Sequence, residues 1–380
     1  MTFDLILAGG GLSAGLIALA LRARRPDARV AVVEQGPAFG GNHTWCCFAA
    51  DFSAEGAALA APLIEASWPS HELRFPAFTR QIDAIYQSGT SRRLHAALMA
   101  ALPDDCRFLG VPISTLAPDS VQLADGRCLQ ARAVIDARGD RPTPALDLGF
   151  QKFLGIEMEL ASPHHLAGPI IMDATVAQHD GYRFVYVLPF SPTRVLIEDT
   201  YYADGPALET DNLRARITDY GRTRGWQPLR HIREEQGVLP IALGGNIHRH
   251  LAGFPPGVPP VGMAAGLFHP VTGYSFPDAV RLALHVAELR DLSGPALDRA
   301  LRGWAAARWQ ERGFYRLLNK MLFRAASPQD RWRVLQRFYR LDAGLVGRFY
   351  AGHSSLADKL RIVSGKPPVP LGRAVAAVLR

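Results

Sequence analysis

The pattern of hydrophobic and polar positions at the start of the chain predicts a strand, a helix and a second strand. Residues 3–8 form a short apolar run that ends at glycines, as a buried strand does. Helical spacing follows to about residue 25, and residues 29–33 form a second apolar run that ends on Glu34. A dinucleotide-binding unit begins with elements in this order.

The turn between the first strand and the helix has the small residues that a dinucleotide-binding loop requires. Gly9 and Gly11 stand at the tight turn, and Ala14 takes the third small position. Glycines allow backbone N–H groups to approach a pyrophosphate at the helix N-terminus, and Glu34 can accept a hydrogen bond from a ribose hydroxyl. The pattern therefore predicts a Rossmann-like unit that binds a flavin or nicotinamide dinucleotide.

The middle of the chain predicts a small meander followed by a longer antiparallel sheet. Residues 91–102 have helical spacing, and residues 124–127 carry a hairpin turn signal. Short strands are expected at residues 107–111, 121–123, 128–129 and 133–136. Longer strands are expected at residues 153–160, 170–176, 182–188 and 194–202, and a helix at residues 207–225.

The C-terminal part is predicted to be helical. An apolar stretch returns at residues 262–268, and a helix begins near Pro277, with Ser275 and Asp278 as a capping box. From about residue 295 the helices are basic: residues 301–380 hold 16 Lys and Arg against 4 Asp and Glu, although the whole chain carries only +7. This positive charge is explained equally well by solvent-exposed faces of amphipathic helices and by a surface that binds an anionic partner. Among binding functions we favour a membrane surface over nucleic acid, because no nucleic-acid motif accompanies the charge.

Cysteine usage and the N-terminal segment bear on the location of the protein. Four cysteines form no disulfide framework, which suits a reducing cytoplasm, and the vicinal Cys46 and Cys47 are expected to pack in apolar surroundings. The apolar residues 5–21 lack a preceding basic segment and contain three glycines in a row, so we expect neither a signal peptide nor a membrane span there. A peripheral position on the inner face of the cell membrane is the expected location.

The segment from residue 182 to 202 carries the candidate chemistry. It is rich in aromatic residues and ends in adjacent acids, Glu198 and Asp199. Successive side chains of a strand point to opposite faces, so only one of the two carboxyls can face an apolar cavity. Burial would raise the pKa of that carboxyl and keep it protonated as a general acid. Alternatively, both acids pair with basic residues such as Arg194 at a sheet edge.

Seven segments in matching order resemble the bacterial lycopene β-cyclase family. They are residues 8–15, 40–45, 136–139, 151–155, 171–175, 196–200 and 269–277. The resemblance implies an α/β fold of the glutathione reductase and hydroxybenzoate hydroxylase kind. A Rossmann-like FAD-binding domain would cover residues 1–150 and 240–295, a substrate-binding antiparallel sheet residues 151–239, and a basic helical region residues 296–380.

The resemblance also implies the reaction. Lycopene's acyclic ψ-ends would be protonated and closed to β-rings, through γ-carotene to β-carotene, with Glu198 as the acid and Asp199 as its essential neighbour. FAD would have to be reduced, with electrons from NAD(P)H, although no net redox change occurs. The anionic flavin would stabilise the carbocation, or the reduced flavin would itself deliver the proton. The implied cofactor-binding residues are Gly9, Gly10, Gly11, Leu12, Ser13, Ala14, Glu34, His43, Asp136, Gly139, Thr272, Gly273 and Tyr274.

Some positions depart from the wider flavoprotein pattern. Gly266 is followed by Leu267 where an aspartate usually stands, and Ser91 replaces the usual arginine, which leaves Arg92 or Arg93 to reach the pyrophosphate. The pairs His164-His165 and His248-x-His250 lack further ligands at metal-binding spacing, so we expect surface histidines and no metal site.

Two other functions are alternatives to a cyclase. The first is a flavin-dependent monooxygenase or a prenyl or geranylgeranyl reductase, and the second is a non-enzymatic prenyl-lipid carrier.

Overall fold

The computed structural model describes residues 2–139, 141, 143–179, 181–365 and 372 of the chain. In chain order the strands of this part are β1 (Thr2–Phe3), β2 (Leu5–Ala8), β3 (Val30–Glu34), β4 (Thr44–Phe48), β5 (Ile64–Trp68), β6 (His71–Phe75), β7 (Phe78–Ile82), β8 (Tyr86–Thr90), β9 (Arg107–Leu109), β10 (Ile113–Ala117), β11 (Ser120–Leu123), β12 (Cys128–Ala131), β13 (Val134–Asp136), β14 (Leu146–Leu160), β15 (Ile170–Asp173), β16 (Tyr182–Pro189), β17 (Arg194–Ala203) and β18 (Pro228–Gly245). The helices are α1 (Leu12–Arg24), α2 (Ala54–Ala60), α3 (Ser91–Ala101), α4 (Thr210–Thr223), α5 (Ile247–Leu251), α6 (Phe276–Glu288), α7 (Gly294–Glu311), α8 (Gly313–Ala325), α9 (Arg331–Phe338), α10 (Ala343–Tyr350) and α11 (Leu356–Val363).

The N-terminal pattern folds into a parallel sheet in the order β13-β2-β3-β9. Strand β2 is buried throughout because both faces of the sheet are covered. Leu5 and Leu7 belong to the core formed with α1 and α6, whereas Ile6 packs with the meander on the opposite face. The predicted strand–turn–helix–strand order and the Rossmann-like fold are confirmed. Asp4 interrupts the first predicted strand, so that β1 pairs with β12 in a separate sheet.

The predicted meander is also present. Strands β10, β11 and β12 are antiparallel, and the turn between β11 and β12 lies at the predicted hairpin. Strand β10 was not predicted, since its five residues (ISTLA) offer little alternation. A further small sheet has the strand order β4-β8-β5.

The largest sheet has seven strands in the order β18-β14-β17-β16-β15-β6-β7. Helix α4 covers one face through Leu213 and Ile217, which belong to the same hydrophobic core as Ile156 and Val187. The opposite face is lined by aromatic side chains and forms part of the cavity described below. The antiparallel β16–β17 hairpin and the predicted helix α4 are therefore confirmed.

Two parts of this sheet were not predicted. Strand β18 is 18 residues long, but its charged residues and its glycines and prolines hide the alternation of a strand. The hairpin of β6 and β7 joins the sheet through the parallel pairing of β6 with β15. This hairpin lies within residues 1–150, which the sequence assigned to the dinucleotide-binding domain.

The helices after residue 293 pack on both units rather than forming a separate layer. Leu297, Leu301 and Trp309 of α7 join the core around α1. Phe323 of α8 and Phe349 of α10 join the aromatic core of the seven-stranded sheet. The predicted basic helical region is thus helical as far as it is described; residues 366–371 and 373–380 lie outside the described part.

The N-terminus of α6 differs from its prediction. Ser275 is the N-cap residue, but its side chain makes no capping hydrogen bond. Asp278 instead forms buried ion pairs with Arg312 and Arg281. The predicted capping box is wrong because a buried carboxylate is stabilised more by a buried cation than by a backbone N–H at the helix end.

Within the described residues, every helix is too short or too polar to cross a membrane.

Candidate active site

A cavity of about 690 Å³ connects the glycine-rich turn to the aromatic face of the seven-stranded sheet. One end is lined by backbone and small side chains, among them Gly9, Gly11 and Ser13. The other end is lined by aromatic side chains, namely Phe153, Phe184, Tyr186, Tyr202, Tyr274, Phe338, Tyr339, Phe349 and Tyr350. The same space therefore offers a polar end for a phosphate-bearing ligand and an apolar end for a hydrocarbon.

The geometry of the glycine-rich turn fits a dinucleotide. Gly9 has φ +106°, and a Cβ there would lie 2.5 Å from the Ala137 carbonyl oxygen. Gly11 is the N-cap of α1, and nothing lies within 4 Å of the position its Cβ would take. No side chain caps the start of α1, and Gly11, Leu12 and Ser13 line the cavity, so this helix N-terminus is placed to bind a pyrophosphate. Gly10 N donates to Glu34 Oε2 over 2.8 Å, which fixes the orientation of that carboxylate.

Most of the predicted cofactor-binding residues line the cavity. These are Gly9, Gly11, Leu12, Ser13, Glu34, His43, Gly139, Thr272, Gly273 and Tyr274. Gly10, Ala14 and Asp136 are not on its wall. Ala14 is fully buried within α1, and Asp136 is buried in ion pairs with Arg138 and Arg141. These three residues therefore lie behind the cavity wall.

Two cofactor-related details were found only in the structure. Arg92 and Arg93 both pair with Glu65 and are not on the cavity wall, so neither takes the place of the arginine that Ser91 replaces. Gln151 lines the cavity, and its Oε1 atom is buried without a hydrogen-bond partner. A buried acceptor of this kind is satisfied when a bound ligand supplies an N–H or O–H group.

Glu198 lies on the cavity wall, as predicted for the acid. It is only partly accessible, and its Oε1 accepts a hydrogen bond from Thr200 Oγ1 over 2.5 Å. Burial, and next the negative charge of Glu235, raise the pKa of Glu198 to about 8. A carboxyl with this pKa is mostly protonated at neutral pH and can donate a proton.

Asp199 points to the opposite face of the sheet, as the alternation of β17 requires. It is fully buried and forms a bidentate ion pair with Arg183, with Nη2–Oδ2 at 2.6 Å. It is not on the cavity wall. The pairing with Arg194 considered from the sequence does not occur, because Arg194 pairs with Glu157 and Glu65. Asp199 thus contacts Arg183 and leaves Glu198 as the acid that faces the cavity.

Glu235 of β18 is a second carboxyl near the acid that sequence reasoning missed. It is buried, pairs with Arg233 and accepts a hydrogen bond from Thr44 Oγ1 over 3.0 Å. Arg233 and Glu235 are two residues apart and share a face of the strand. Their spacing in the sequence is a signal that the two side chains share a face, but only if residues 228–245 are already known to form a strand.

A cluster of phenols and a thiol lies beside the acid. Tyr86 Oη is hydrogen-bonded to Tyr186 Oη over 2.7 Å and also to Tyr274 Oη, and Tyr186 Oη donates to Cys46 Sγ over 2.7 Å. Burial raises the pKa of these three phenols well above the usual value and that of the Cys46 thiol to about 12. All four groups are therefore protonated at neutral pH, which makes them poor nucleophiles.

The cysteine and histidine predictions need correction. Cys47 is buried as expected, but Cys46 lines the cavity. His164 and His250 are buried rather than on the surface, since their Nε2 atoms bond the Ser191 and Ala264 carbonyls over 2.7 Å. Across the described residues, no three His, Cys, Asp or Glu side chains cluster as metal ligands would.

The sequence is similar to a known family along its length. A family model described as lycopene cyclase protein matches residues 4–376. A protein of Pseudescherichia vulneris named lycopene beta-cyclase is 49% identical over 99% of this chain and 97% of its own. Proteins with the same name from Paracoccus sp. and Pantoea ananas are 48% and 45% identical, again over 99% of this chain and 97% and 98% of theirs.

Solved structures are similar in fold. A geranylgeranyl bacteriochlorophyll reductase-like protein from Thermoplasma acidophilum has a TM-score of 0.63 at 13% identity, covering 100% of this chain and 98% of that one. A flavin-dependent brominase has a TM-score of 0.58 at 14% identity, covering 93% of this chain and 94% of that one. The fold is therefore one that flavin-dependent enzymes use.

Proposed function

The chain belongs to the lycopene cyclase family, and we propose that it closes the acyclic ψ-ends of lycopene to β-rings, through γ-carotene to β-carotene. The observation that carries this proposal is the place of one carboxyl, Glu198, on the wall of an aromatic cavity, where burial raises its pKa. The relatives that are 45–49% identical over nearly the whole chain bear the name of this activity. The reaction is an isomerisation, since lycopene and the cyclised product have the same composition.

Glu198 begins the reaction by donating its proton to the terminal double bond of the ψ-end. The new C–H bond leaves a tertiary carbocation at the neighbouring carbon. The nearby trisubstituted double bond then attacks that cation, which closes a six-membered ring and moves the positive charge. Loss of a proton from the ring carbon forms the double bond of the β-ring, so one proton enters and one leaves.

The aromatic wall protects and stabilises the cation. Faces of residues such as Phe184, Tyr202 and Tyr350 attract a positive charge by about 0.5–2 kcal/mol each. The phenols and the Cys46 thiol beside Glu198 are protonated, so they do not trap the cation through an anionic oxygen or sulfur. A lining of this kind also excludes water, which would otherwise add to the cation.

The dinucleotide-binding end is proposed to hold FAD in its reduced form, with electrons from NAD(P)H. Gly9, Gly11 and Ser13 would hold the pyrophosphate at the start of α1, and Glu34 a ribose. Residues 272–275 lead into α6, whose N-terminus borders the cavity and favours an anionic ring there. When bound, the reduced flavin supplies negative charge that stabilises the carbocation. Gln151 Oε1 provides the unsatisfied acceptor for a donor on such a ring.

The protein is further proposed to take its substrate at a membrane surface through α11. Leu356, Leu360 and Val363 lie along one side of this helix and are 73%, 60% and 48% exposed. Ile362 and Val363 also line the cavity, so the apolar surface is continuous with its wall. Lys359 and Arg361 on the same helix suit anionic headgroups.

The membrane proposal is tested with vesicles of phosphatidylethanolamine and phosphatidylglycerol. Leu356→Ser with Leu360→Ser should lower the bound fraction several-fold, while the flavin absorbance of the purified protein stays unchanged. Leu229→Ser is the matched control, because Leu229 is 72% exposed but lies outside α11. Equal binding of the double variant and this control would contradict the proposal.

The proposed reaction is tested by carotenoid extraction from lycopene-producing cells that express the chain. Wild-type protein should convert lycopene to cyclic products of unchanged mass, whereas Glu198→Gln should leave lycopene unconverted although the purified variant remains yellow. Products that gain oxygen or hydrogen would indicate a monooxygenase or a reductase instead. A colourless purified protein that converts nothing would support the prenyl-lipid carrier.

A further inference from the structure

Two carboxyls lie on the same face of the large sheet with a glycine between them. Gly155 of β14 is opposite Glu198 of β17 on one side and opposite Glu235 of β18 on the other. Residues directly opposite each other in an antiparallel sheet present their side chains on the same face. A Cβ at Gly155 would lie 3.5 Å from Glu198 Cβ, 3.3 Å from Glu235 Cγ and 3.2 Å from Leu196 Cδ1, so this glycine contributes no side chain of its own between the two acids.

The two carboxyls have different surroundings. Glu235 forms an ion pair with Arg233 and accepts a hydrogen bond from the Thr44 hydroxyl. Glu198 receives a hydrogen bond from Thr200, and among the described residues it takes part in no ion pair. The arrangement therefore places a fixed carboxylate beside a carboxyl that has no cation of its own.

The other titratable groups near Glu198 supply less negative charge to it than Glu235 does. Tyr186 stands opposite it on β16, and Cys46 of β4 lies nearby, but both are protonated at neutral pH. Asp199, the next residue of β17, also raises the pKa of Glu198, but less than Glu235 does; it faces away and forms an ion pair with Arg183. Arg233 acts against Glu235, yet its charge is divided between Glu235 and Glu157.

We propose that Glu235 is a positioning residue for the acid: its carboxylate, held by Arg233 and Thr44 across Gly155, keeps Glu198 protonated at neutral pH. This role rests on the proposed function, in which Glu198 donates the proton. A like charge nearby disfavours ionisation of a second carboxyl. After proton transfer, both carboxylates are negative beside the positive charge of the substrate, so the same arrangement attracts the cation.

The test is the pH dependence of cyclisation by the flavin-loaded protein with Glu235→Gln. In the wild type, kcat should fall as the pH rises through about 8, where Glu198 loses its proton. Removing the charge of Glu235 should move this fall about one pH unit lower. At pH 8 the variant should then be several-fold slower than the wild type, and at pH 6 nearly as fast, with KM unchanged.

Glu234→Gln is the matched control, because Glu234 is the preceding residue of β18 and pairs with Arg214. Its profile should match that of the wild type. Glu235→Asp keeps the charge and should restore most of the wild-type profile. A Glu235→Gln variant with a wild-type profile, or one that loses the same fraction of kcat at every pH, would overturn the proposal.

A second variant covers the case in which Glu235→Gln fails to fold with Arg233 left unpaired. Glu235→Gln combined with Arg233→Gln removes both charges, and Glu157 keeps its ion pair with Arg194. The fall in kcat should still move to lower pH, but by less; an unmoved profile counts against Glu235.

Infrared titration of the Glu198 carboxyl distinguishes failure of the proposed function from failure of the role proposed for Glu235. The band of this carboxyl is identified by its loss in Glu198→Gln. If the wild type forms no cyclic product, the proposed function fails, yet this titration still measures whether Glu235 raises the pKa of Glu198. An identical titration in Glu235→Gln would refute the role of Glu235 alone.

Discussion

Replacing Glu198 with glutamine should make the protein more stable while removing its proton donor. In the unfolded chain this carboxyl ionises near its ordinary pKa of 4.5, whereas in the folded protein it retains its proton up to about pH 8. The unfolded state therefore binds fewer protons between these pH values, and the stability of the wild type falls as the pH rises through them. Glutamine stays neutral, can still accept the Thr200 hydrogen bond, and avoids this loss.

The size of the effect follows from the shift in pKa. A shift from 4.5 to about 8 corresponds to an upper bound of about 4 kcal/mol at pH 8. Glu198 has access to water through the cavity, which reduces the effect, so we expect about 1–3 kcal/mol at pH 8 and only a few tenths at pH 5. With an unfolding entropy of about 2 cal/mol/K per residue, the gain at pH 8 raises Tm by roughly 1–4 °C.

The assay is thermal unfolding of the wild type and Glu198→Gln, both loaded with flavin, at pH 5 and pH 8. Glu209→Gln, a change at an exposed glutamate before α4, is the control and should show no difference that depends on pH. A Glu198→Gln variant that is less stable than the wild type at both pH values would show that burial of this carboxyl does not lower the stability of the wild type. A gain of equal size at pH 5 and pH 8 would show that titration of this carboxyl is not the cause.

Two further substitutions test the supporting structure. Asp199→Asn leaves Arg183 buried without its carboxylate and should lower the free energy of unfolding in urea by about 3–5 kcal/mol. Adding Arg183→Gln should recover part of this loss; if the losses of the two single variants simply add up in the double variant, the two residues are not paired. Gly9→Ala places a Cβ 2.5 Å from the Ala137 carbonyl oxygen at φ +106° and should lower the flavin content of the purified protein several-fold. The control is Gly110→Ala, which is also at positive φ but has open space around it and should keep its flavin; equal flavin absorbance in the two variants would contradict the proposed flavin site at Gly9.

The sequence predicted those parts of the site that depend on local pattern. The glycine-rich turn and the alternation of residues 196–200 each lie within one short segment, so their geometry follows from the strand and helix periods. The assignment of Glu198 and Asp199 to opposite faces is confirmed by the cavity and by the Arg183 ion pair. Their roles in catalysis stay predictions.

The parts that were missed depend on contacts between distant segments. Glu235 becomes relevant only because β14 brings residues 155, 198 and 235 into register, and the charged, glycine-containing sequence of β18 does not reveal a strand. The capping box at Ser275 was wrong for the same reason, since Arg312 binds Asp278 from 34 residues away. Likewise, burial of His164 and His250 depends on backbone carbonyls supplied by other loops.

Glu198 is proposed to protonate lycopene in a reaction without net redox change. The most direct test is anaerobic turnover of lycopene by the purified protein with reduced FAD in D2O, followed by mass analysis of the carotenoid. An exchangeable acid delivers deuterium while the ring carbon loses ordinary hydrogen, so the product should gain one deuterium for each ring formed. Glu198→Gln should yield no cyclic product. A cyclic product without deuterium, or one formed at wild-type rate by Glu198→Gln, would contradict the role of Glu198 as the proton donor.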